Sequence, residues 1–253
     1  MSASVFVRGV GVWSGAAADG GGRSALAERA QLLPARMRGR ASPLTLMLAV
    51  VTEEAAREAA EDPARLPSVF GSAYGEMHTT ATLLSQLWAA GSALSPAKFQ
   101  ASVHNTAAAQ LSIALHNPSF STSIAAGYDT VAMSLIEALA WLARHPGQVL
   151  VACADEAPNE VLQPGVSYPP LAAAFVLDNV AAEGLMRMEL LTADGGGELL
   201  AADGGGGRGE GNPVGAALVL VQAIRAAEHT SVSLNGYRVL LEPCAQHMQR
   251  GGT

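Results

Sequence analysis

The chain has 253 residues, of which 49% are hydrophobic, and a formal net charge of −7 at pH 7. This length allows one large core or two small ones, and the longest apolar runs are far shorter than the roughly 20 residues that cross a bilayer. Lys98 is the one lysine, and the arginines are scattered except for Arg36, Arg38 and Arg40, for which a solvated loop is the favoured interpretation, so the charge argues against nucleic-acid binding. We therefore expect a folded protein that binds neither membrane nor nucleic acid.

The N-terminus and the cysteines indicate the compartment. The start, MSASVFVRGVGVW, lacks a basic segment followed by a long apolar core, so no signal peptide is predicted. Cys153 and Cys244 each end or follow an apolar run, which is typical of buried strand thiols and not of a disulfide framework. The six histidines are dispersed without the spacing of metal ligands. A cytoplasmic protein without a metal or cofactor is the expectation.

Strands and helices alternate in the first part of the chain. Residues 4–12, SVFVRGVGV, have β-branched residues in near alternation and predict an opening strand, which a loop to about Pro34 follows. Ser42 and Pro43 predict the N-cap and first turn of a helix that Pro63 stops. The next predicted strands are 66–72, 120–125 and 148–153, and the next predicted helices are 79–90, 105–115 and 130–144.

The second part of the chain is richer in predicted strands. They are 171–177, 185–191 and a final strand or hairpin at 231–241, with a helix at 213–227. The glycine-rich stretch 194–212 predicts a mobile loop, and it lacks the lysine and hydroxyl of a phosphate loop. The whole pattern predicts an α/β fold with a mostly parallel sheet covered by helices on both faces, in a single domain over residues 1–253.

Two polar pairs lie at the ends of predicted elements. Asp155 and Glu156 follow a buried strand, at the end where parallel strands place functional groups, or they cap the loop at Pro158. The Asp129 side chain can cap the helix that begins at residue 130, with Tyr128 packed or hydrogen-bonded nearby. Capping is the favoured interpretation of both pairs.

Residues 102–126, SVHNTAAAQLSIALHNPSFSTSIAA, together with GVGVWS near the N-terminus, resemble β-ketoacyl synthases. In that family a cysteine at a helix N-terminus holds the growing acyl chain as a thioester. The resemblance, which covers roughly residues 4–178, implies that Ala126 is at the nucleophile position, or Ile124 in an alternative alignment, and both side chains are inert. It also implies a thiolase-like α/β/α layered half-fold, truncated before the family's two C-terminal catalytic histidines.

Members of this family that keep the fold without the cysteine are chain length factors, the inactive partners of type II polyketide ketosynthases. Residues 71–88, GSAYGEMHTTATLLSQLW, resemble the segment of these factors that lines the polyketide tunnel. The resemblance implies tunnel-lining roles for Met77, Thr80 and Leu84. These residues share one helix face, so an ordinary core stripe is the alternative.

The resemblance implies a non-catalytic chain length factor that forms a heterodimer with a full-length ketosynthase. It implies that acyl carrier protein docks transiently and mainly on the ketosynthase, and that no cofactor is needed. The short chain and its pattern are most similar to factors of polyene-forming systems, including aryl polyene and other highly reducing type II synthases. In such a complex the chain would set the length of a polyene-type product.

Two alternatives stay open. One is an initiating acyltransferase or malonyl decarboxylase that works without cysteine, for which Asn105, Tyr128 and Asp129 are the polar candidates near Ala126. The other is a homodimeric binding or scaffold protein that kept only the fold.

Overall fold

A computed structural model describes residues 4–15, 22–89, 93–192 and 211–244. Most of the predicted glycine-rich loop, residues 194–212, lies outside the described residues. The strands are β1 Ser4–Ser14, β2 Ser68–Gly71, β3 Ser121–Ile124, β4 Gln148–Asp155, β5 Leu171–Asp178, β6 Met186–Thr192, β7 Thr230–Leu234 and β8 Tyr237–Pro243. The helices are α1 Arg23–Arg29, α2 Ala35–Arg38, α3 Pro43–Glu58, α4 Met77–Trp88, α5 Pro96–Gln100, α6 Thr106–Leu115, α7 Thr130–Leu142 and α8 Gly215–Ala226.

The described strands form one sheet in the order β3-β2-β4-β5-β1-β6-β8-β7. Helices cover both of its faces, each over its own hydrophobic cluster. On one face α3, α1 and α6 pack over residues such as Leu150 and Val176, and on the other α7 and α8 pack over Val151 and Phe175. Successive residues of β4 and β5 point to opposite faces, which is why these apolar strands serve both clusters. The predicted α/β/α layering is confirmed.

The prediction of a mostly parallel sheet is wrong. In the described sheet β2 pairs in parallel with β3 and β4, whereas every other pairing is antiparallel. Because no helix separates β4 from β5, the chain returns antiparallel beside the strand it leaves, and β5 inserts between β4 and β1. The first four strands still run in one direction, so their carboxyl ends meet at one edge of the sheet.

Several element boundaries differ from the sequence prediction. The loop predicted to run to Pro34 contains α1, and α2 and α5 were also missed. These helices are too short for apolar periodicity, and Leu26 of α1 is the one buried residue among the three. At the other end of the chain, β7 and β8 form the hairpin alternative, joined at Asn235 and Gly236, a sequence that favours tight hairpin turns.

Close packing of β1 on α3 depends on two glycines. A Cβ atom on Gly9 would collide with the carbonyl oxygen of Ala55, and one on Gly11 with that of Val51. Backbone atoms of a helix cannot move aside as a flexible side chain can. The same helix starts as predicted, because Ser42 Oγ accepts the N–H of Thr45 at 3.0 Å and Pro43 occupies the first turn.

We predict that Gly11→Ala lowers the free energy of unfolding by about 1–3 kcal/mol, since α3 must separate from β1 to make room. Gly215→Ala is the matched control, because a Cβ there meets nothing within 4 Å. The control should leave stability unchanged or slightly raised. Equilibrium urea unfolding measures both, and equal stability of the two variants would contradict the tight β1–α3 contact.

Candidate functional site

The candidate site lies where the carboxyl ends of β2, β3 and β4 meet. The segment 72–76 follows β2, the turn 125–129 follows β3, and Asp155 and Glu156 end β4 or follow it. Parallel neighbours place the residues after each strand at the same edge of a sheet, which is where α/β proteins commonly bind ligands. The residues that follow these three strands therefore make up the candidate site.

Ala126 lies in the turn between β3 and α7. Its N–H donates to Thr130 Oγ1 at 3.1 Å, and its carbonyl oxygen accepts the N–H of Asp129 at 3.0 Å. The next residue, Gly127, has a φ of +55°, a left-handed conformation that lets the strand turn sharply into the helix. This is the strand-to-helix turn at which the resemblance implies a nucleophile, and it presents a methyl group.

Neither cysteine substitutes for that nucleophile. Cys153 is fully buried within β4, and burial raises the pKa of its thiol to about 12, so it stays protonated and inert. Cys244, expected to be buried, is half-buried and lines a separate groove with Arg8 and Arg225. The described residues thus provide no thiolate at the turn.

Asp155 organises the loop that follows β2. Its carboxylate is fully buried and accepts the hydroxyl of Ser72 at 2.8 Å and the backbone N–H groups of Ala73 and Tyr74 at 2.9 and 3.1 Å. Burial raises the pKa of Asp155 to about 6. The carboxylate therefore caps a loop, as the favoured interpretation holds, but this loop is the one after β2 and not the one at Pro158.

A pair of buried carboxylates, Glu76 and Glu156, lies between the first turns of α3 and α4. Glu156 accepts the backbone N–H of Leu44 at 3.2 Å and that of His78 at 3.0 Å. Glu76 accepts the hydroxyls of Ser42 at 2.9 Å and Thr45 at 3.3 Å. Both carboxylates therefore join one helix to the other.

Burial and repulsion set the proton affinity of this pair. Glu76 and Glu156 are 1% and 2% exposed. Burial, with a further contribution from the Glu156 charge, raises the pKa of Glu76 to about 7, and burial also raises the pKa of Glu156. At neutral pH Glu76 therefore carries a proton part of the time.

Sequence reasoning missed Ser72, Glu76 and His104. His104 Nε2 lies 2.8 Å from the carbonyl oxygen of Ser72, which ties the start of α6 to the loop after β2. A signal for Glu76 did exist, because an acidic residue before a helix is favoured by the helix dipole. The helix was predicted to begin at Thr79, and starting it at Met77 places Glu76 at its N-cap.

The three predicted tunnel residues do lie along one face of α4. Met77 is buried, and its Sδ accepts the backbone N–H of Asn159 at 3.3 Å, while Thr80 and Leu84 are half-buried. The same face continues to Trp88, which is 75% exposed. None of the three belongs to either hydrophobic cluster of the sheet, so the stripe runs from the interior of the domain out to its surface.

The predicted polar candidates fall into two places. Asn105 is exposed and lines a groove of about 470 Å³ between α6 and β3, whose lining includes neither Tyr128 nor Asp129. Tyr128 is half-buried, its hydroxyl donates to the carbonyl oxygen of Gly211 at 3.4 Å, and burial raises its pKa.

The prediction that the Asp129 side chain caps α7 is wrong, because it makes no capping hydrogen bond there. The chain bends through a short 3₁₀ turn, and the Thr130 hydroxyl accepts the nearby N–H of Ala126.

The described residues contain neither a metal-binding cluster nor a membrane-spanning helix. Within them, no group of three or more His, Cys, Asp or Glu side chains is arranged to hold a metal ion. No helix in the same ranges is long and apolar enough to cross a bilayer.

Comparison with known proteins identifies the sequence pattern. The family model for the N-terminal domain of β-ketoacyl synthases matches residues 12–231. The family pattern was expected to fade after Asp178, and the match corrects this by continuing through β6 and α8. No curated protein sequence matches the chain.

Solved structures share the fold at low sequence identity. The complex of the ketosynthase ApeO with its chain length factor ApeC from Xenorhabdus doucetiae gives a TM-score of 0.65 at 19% identity, over 94% of this chain and 99% of that one. The ishigamide ketosynthase/chain length factor gives a TM-score of 0.58 at 14% identity, over 76% of this chain and 68% of that one. AntDE:AntF, a type II PKS acyl-carrier protein in complex with its ketosynthase bound to the hexaketide, gives a TM-score of 0.54 at 14% identity, over 70% of this chain and 63% of that one. The thiolase-like fold is confirmed.

We predict that the buried pair makes stability depend on pH. The pKa of Glu76 is raised from its ordinary 4.5 to about 7, so the folded chain binds more protons than the unfolded chain between these values. The free energy of unfolding should therefore fall as pH rises through that window, and Glu76→Gln should reduce the fall by on the order of 3 kcal/mol.

Urea unfolding between pH 5 and 8 measures this dependence. The exposed Glu183→Gln is the control and should keep the wild-type profile. An unchanged pH profile for Glu76→Gln would mean that Glu76 ionises normally in the folded chain.

Proposed function

The chain belongs to the β-ketoacyl synthase family, and from this premise we propose that it is a chain length factor. In this role it supplies no covalent chemistry, forms a heterodimer with a full-length ketosynthase and sets the length of a polyene-type chain built on acyl carrier protein. The observation that carries the proposal is the methyl side chain of Ala126 in the turn between β3 and α7, where the family resemblance implies that catalytic members hold cysteine. The partner then supplies the thiolate.

The other reactive groups near the turn support a non-catalytic role. Asp155 and Glu156 accept hydrogen bonds from loop and helix N–H groups, and both are buried. Their carboxylates therefore stabilise the fold and are not exposed to a substrate. Cys153 is inert because its thiol is buried and protonated. Asn105 lies in a groove apart from Tyr128 and Asp129, which argues against a joint acid-base site for a cysteine-independent acyltransferase or decarboxylase.

Exposed apolar side chains support a protein partner. Leu87 and Trp88 of α4 are 62% and 75% exposed, and Phe99 of the adjoining α5 is 64% exposed. Large apolar side chains grouped at a surface mark an interaction site. β3, at one edge of the described sheet, offers a second free surface close to Ala126. A permanent interface of more than about 2,000 Å² is the expectation for such a subunit.

The proposed control of product length is steric. Met77, Thr80 and Leu84 would form part of the tunnel wall, and elongation would slow when the acyl chain reaches it. Met77 and Leu84 are less bulky than aromatic side chains would be, which fits a longer or slimmer channel, whereas the polyene-type product is inferred from the length and pattern of the chain. Acyl carrier protein would dock mainly on the ketosynthase, and no cofactor is required.

The proposal treats residues 1–253 as one domain, since the described strands share a single sheet. It places the heterodimer in the cytoplasm. A homodimeric scaffold protein is the rival that the assembly experiment addresses, and the acyltransferase or decarboxylase is the rival that turnover by the isolated chain would reveal.

We predict that co-expression with the ketosynthase encoded nearest in the genome yields a heterodimer, and that Trp88→Asp weakens it roughly 30-fold, the size expected for a buried aromatic anchor. Val180→Asp is the matched control, because Val180 is also exposed, at 56%, but lies after β5. Tagged co-purification and size-exclusion chromatography measure assembly. A homodimer without affinity for the ketosynthase would contradict the proposed function.

We also predict that Trp in place of Met77, Thr80 or Leu84 shortens the products of the heterodimer, because a bulkier side chain narrows the tunnel. Thr82→Trp is the control, since Thr82 is exposed on another face of the same helix. Mass spectrometry of the released products gives the distribution of lengths. If product length is unchanged in all three variants, Met77, Thr80 and Leu84 have only a structural role and do not line the tunnel.

A further inference from the structure

Helix α4 is weakly attached to the sheet. Its buried residues are Met77, Ala81 and Leu83, and none of them belongs to either hydrophobic cluster. The element on which it packs most, within the described chain, is the short helix α5. Apolar packing on the core therefore contributes little to the position of α4. We expect polar contacts to hold this helix in place instead.

Glu156 provides the most direct of these contacts. One carboxylate oxygen, Oε1, accepts the N–H of Leu44 in the first turn of α3, and the other, Oε2, accepts the N–H of His78 in the first turn of α4. α3 is itself held firmly, because the glycines of β1 let it pack directly on the sheet. The Glu156 side chain, which is 2% exposed, thus links the first turn of α4 to α3, the most buried of the described helices.

Two further links act in parallel with Glu156. Glu76, the N-cap residue of α4, accepts the hydroxyl of Ser42, the N-cap residue of α3. The His78 ring lies 3.1 Å, through Nε2, from the carbonyl oxygen of Ala157. Two helix N-termini carrying partial positive charge face these carboxylates, which favours negative charge between them. The cluster holds the start of α4 from both sides.

Met77 stands directly between Glu76 and His78. Any shift in the first turn of α4 therefore moves this side chain first and carries Thr80 and Leu84 with it, because all three lie on one rigid helix face. We propose that Glu156 is the positioning residue of the tunnel wall: its carboxylate fixes α4 against α3 and so fixes where the growing chain stops. This inference rests on the proposed function.

The test uses the heterodimer with Glu156→Gln, which keeps the shape of the side chain but leaves only one oxygen to accept from the two helices. Amide hydrogen exchange in α4 should become about tenfold faster, the usual effect of losing a hydrogen bond to a charged group. The distribution of product lengths should broaden or shift. Both are measured on the same preparation.

Asp178→Asn is the matched control. Asp178 is also a buried carboxylate, 3% exposed, but it binds Arg8 and Gln148 away from α4. This variant should leave α4 exchange and product length unchanged even if it lowers stability. Where Glu156→Gln fails to assemble, Glu156→Asp keeps both oxygens but shortens the side chain that reaches Leu44 and His78, and it should speed exchange in α4 in the same way.

The outcomes separate the positioning role from the proposed function. Unchanged amide exchange in α4 of the Glu156→Gln variant overturns the positioning role. The role is also overturned if exchange becomes faster but product length stays the same, while the Trp variants at Met77, Thr80 and Leu84 do shorten the products. Unchanged products in every Trp variant overturn the tunnel itself, and the positioning role with it. Faster exchange together with altered products, against an unaltered Asp178→Asn control, supports it.

Discussion

The parallel pairing of β2 with β3 and β4 is the constraint on which the rest of the site depends. It brings the ends of three strands to one edge, where Ala126, the loop after β2 and the carboxylates Asp155 and Glu156 meet. In a catalytic family member this arrangement would present a nucleophile at a helix N-terminus. Here the side chain in the turn between β3 and α7 is the methyl group of Ala126, and we propose that the partner supplies the nucleophile.

Buried carboxylates supply the order that the framework needs. Asp155 holds the loop after β2, and Glu76 and Glu156 join α3 to α4. Buried charge is costly unless each oxygen is hydrogen-bonded, and the hydroxyl and N–H donors around these residues meet that condition. Burial nevertheless outweighs these hydrogen bonds and raises the pKa of Glu76 to about 7 and that of Asp155 to about 6. The same groups therefore link the elements of the site and make its stability depend on pH.

The sequence predicted the elements with a clear apolar pattern, but not the strand order and direction that depend on pairing across the whole sheet. The long helix α3 and the apolar strands β4 and β5 were predicted within a few residues, because Ser42, Pro43 and continuous apolar runs are local signals. The antiparallel insertion of β5 between β4 and β1 has no such signal, since strand partners are chosen by the whole sheet. The short helices α1 and α5 lack enough residues to show a period.

The candidate site was predicted in the same uneven way. Ala126 and the face of α4 followed from a resemblance; Ala126 lies in the turn between β3 and α7 and the three α4 residues lie on one helix, while their roles stay predictions. The link from Glu156 to both Leu44 and His78 joins residues far apart in the chain, so no spacing in the sequence could reveal it. Asp129 shows the opposite case, in which a locally favoured cap is not formed because the chain enters α7 through a short 3₁₀ turn.

A chain length factor, as proposed for this chain, would shape a product without ever bonding to it. Intact-protein mass spectrometry of the heterodimer, after incubation with acylated carrier protein, tests this most directly because each subunit is weighed separately. The account predicts an acyl adduct on the ketosynthase alone, with this chain at its unmodified mass. An acyl adduct on this chain would contradict it.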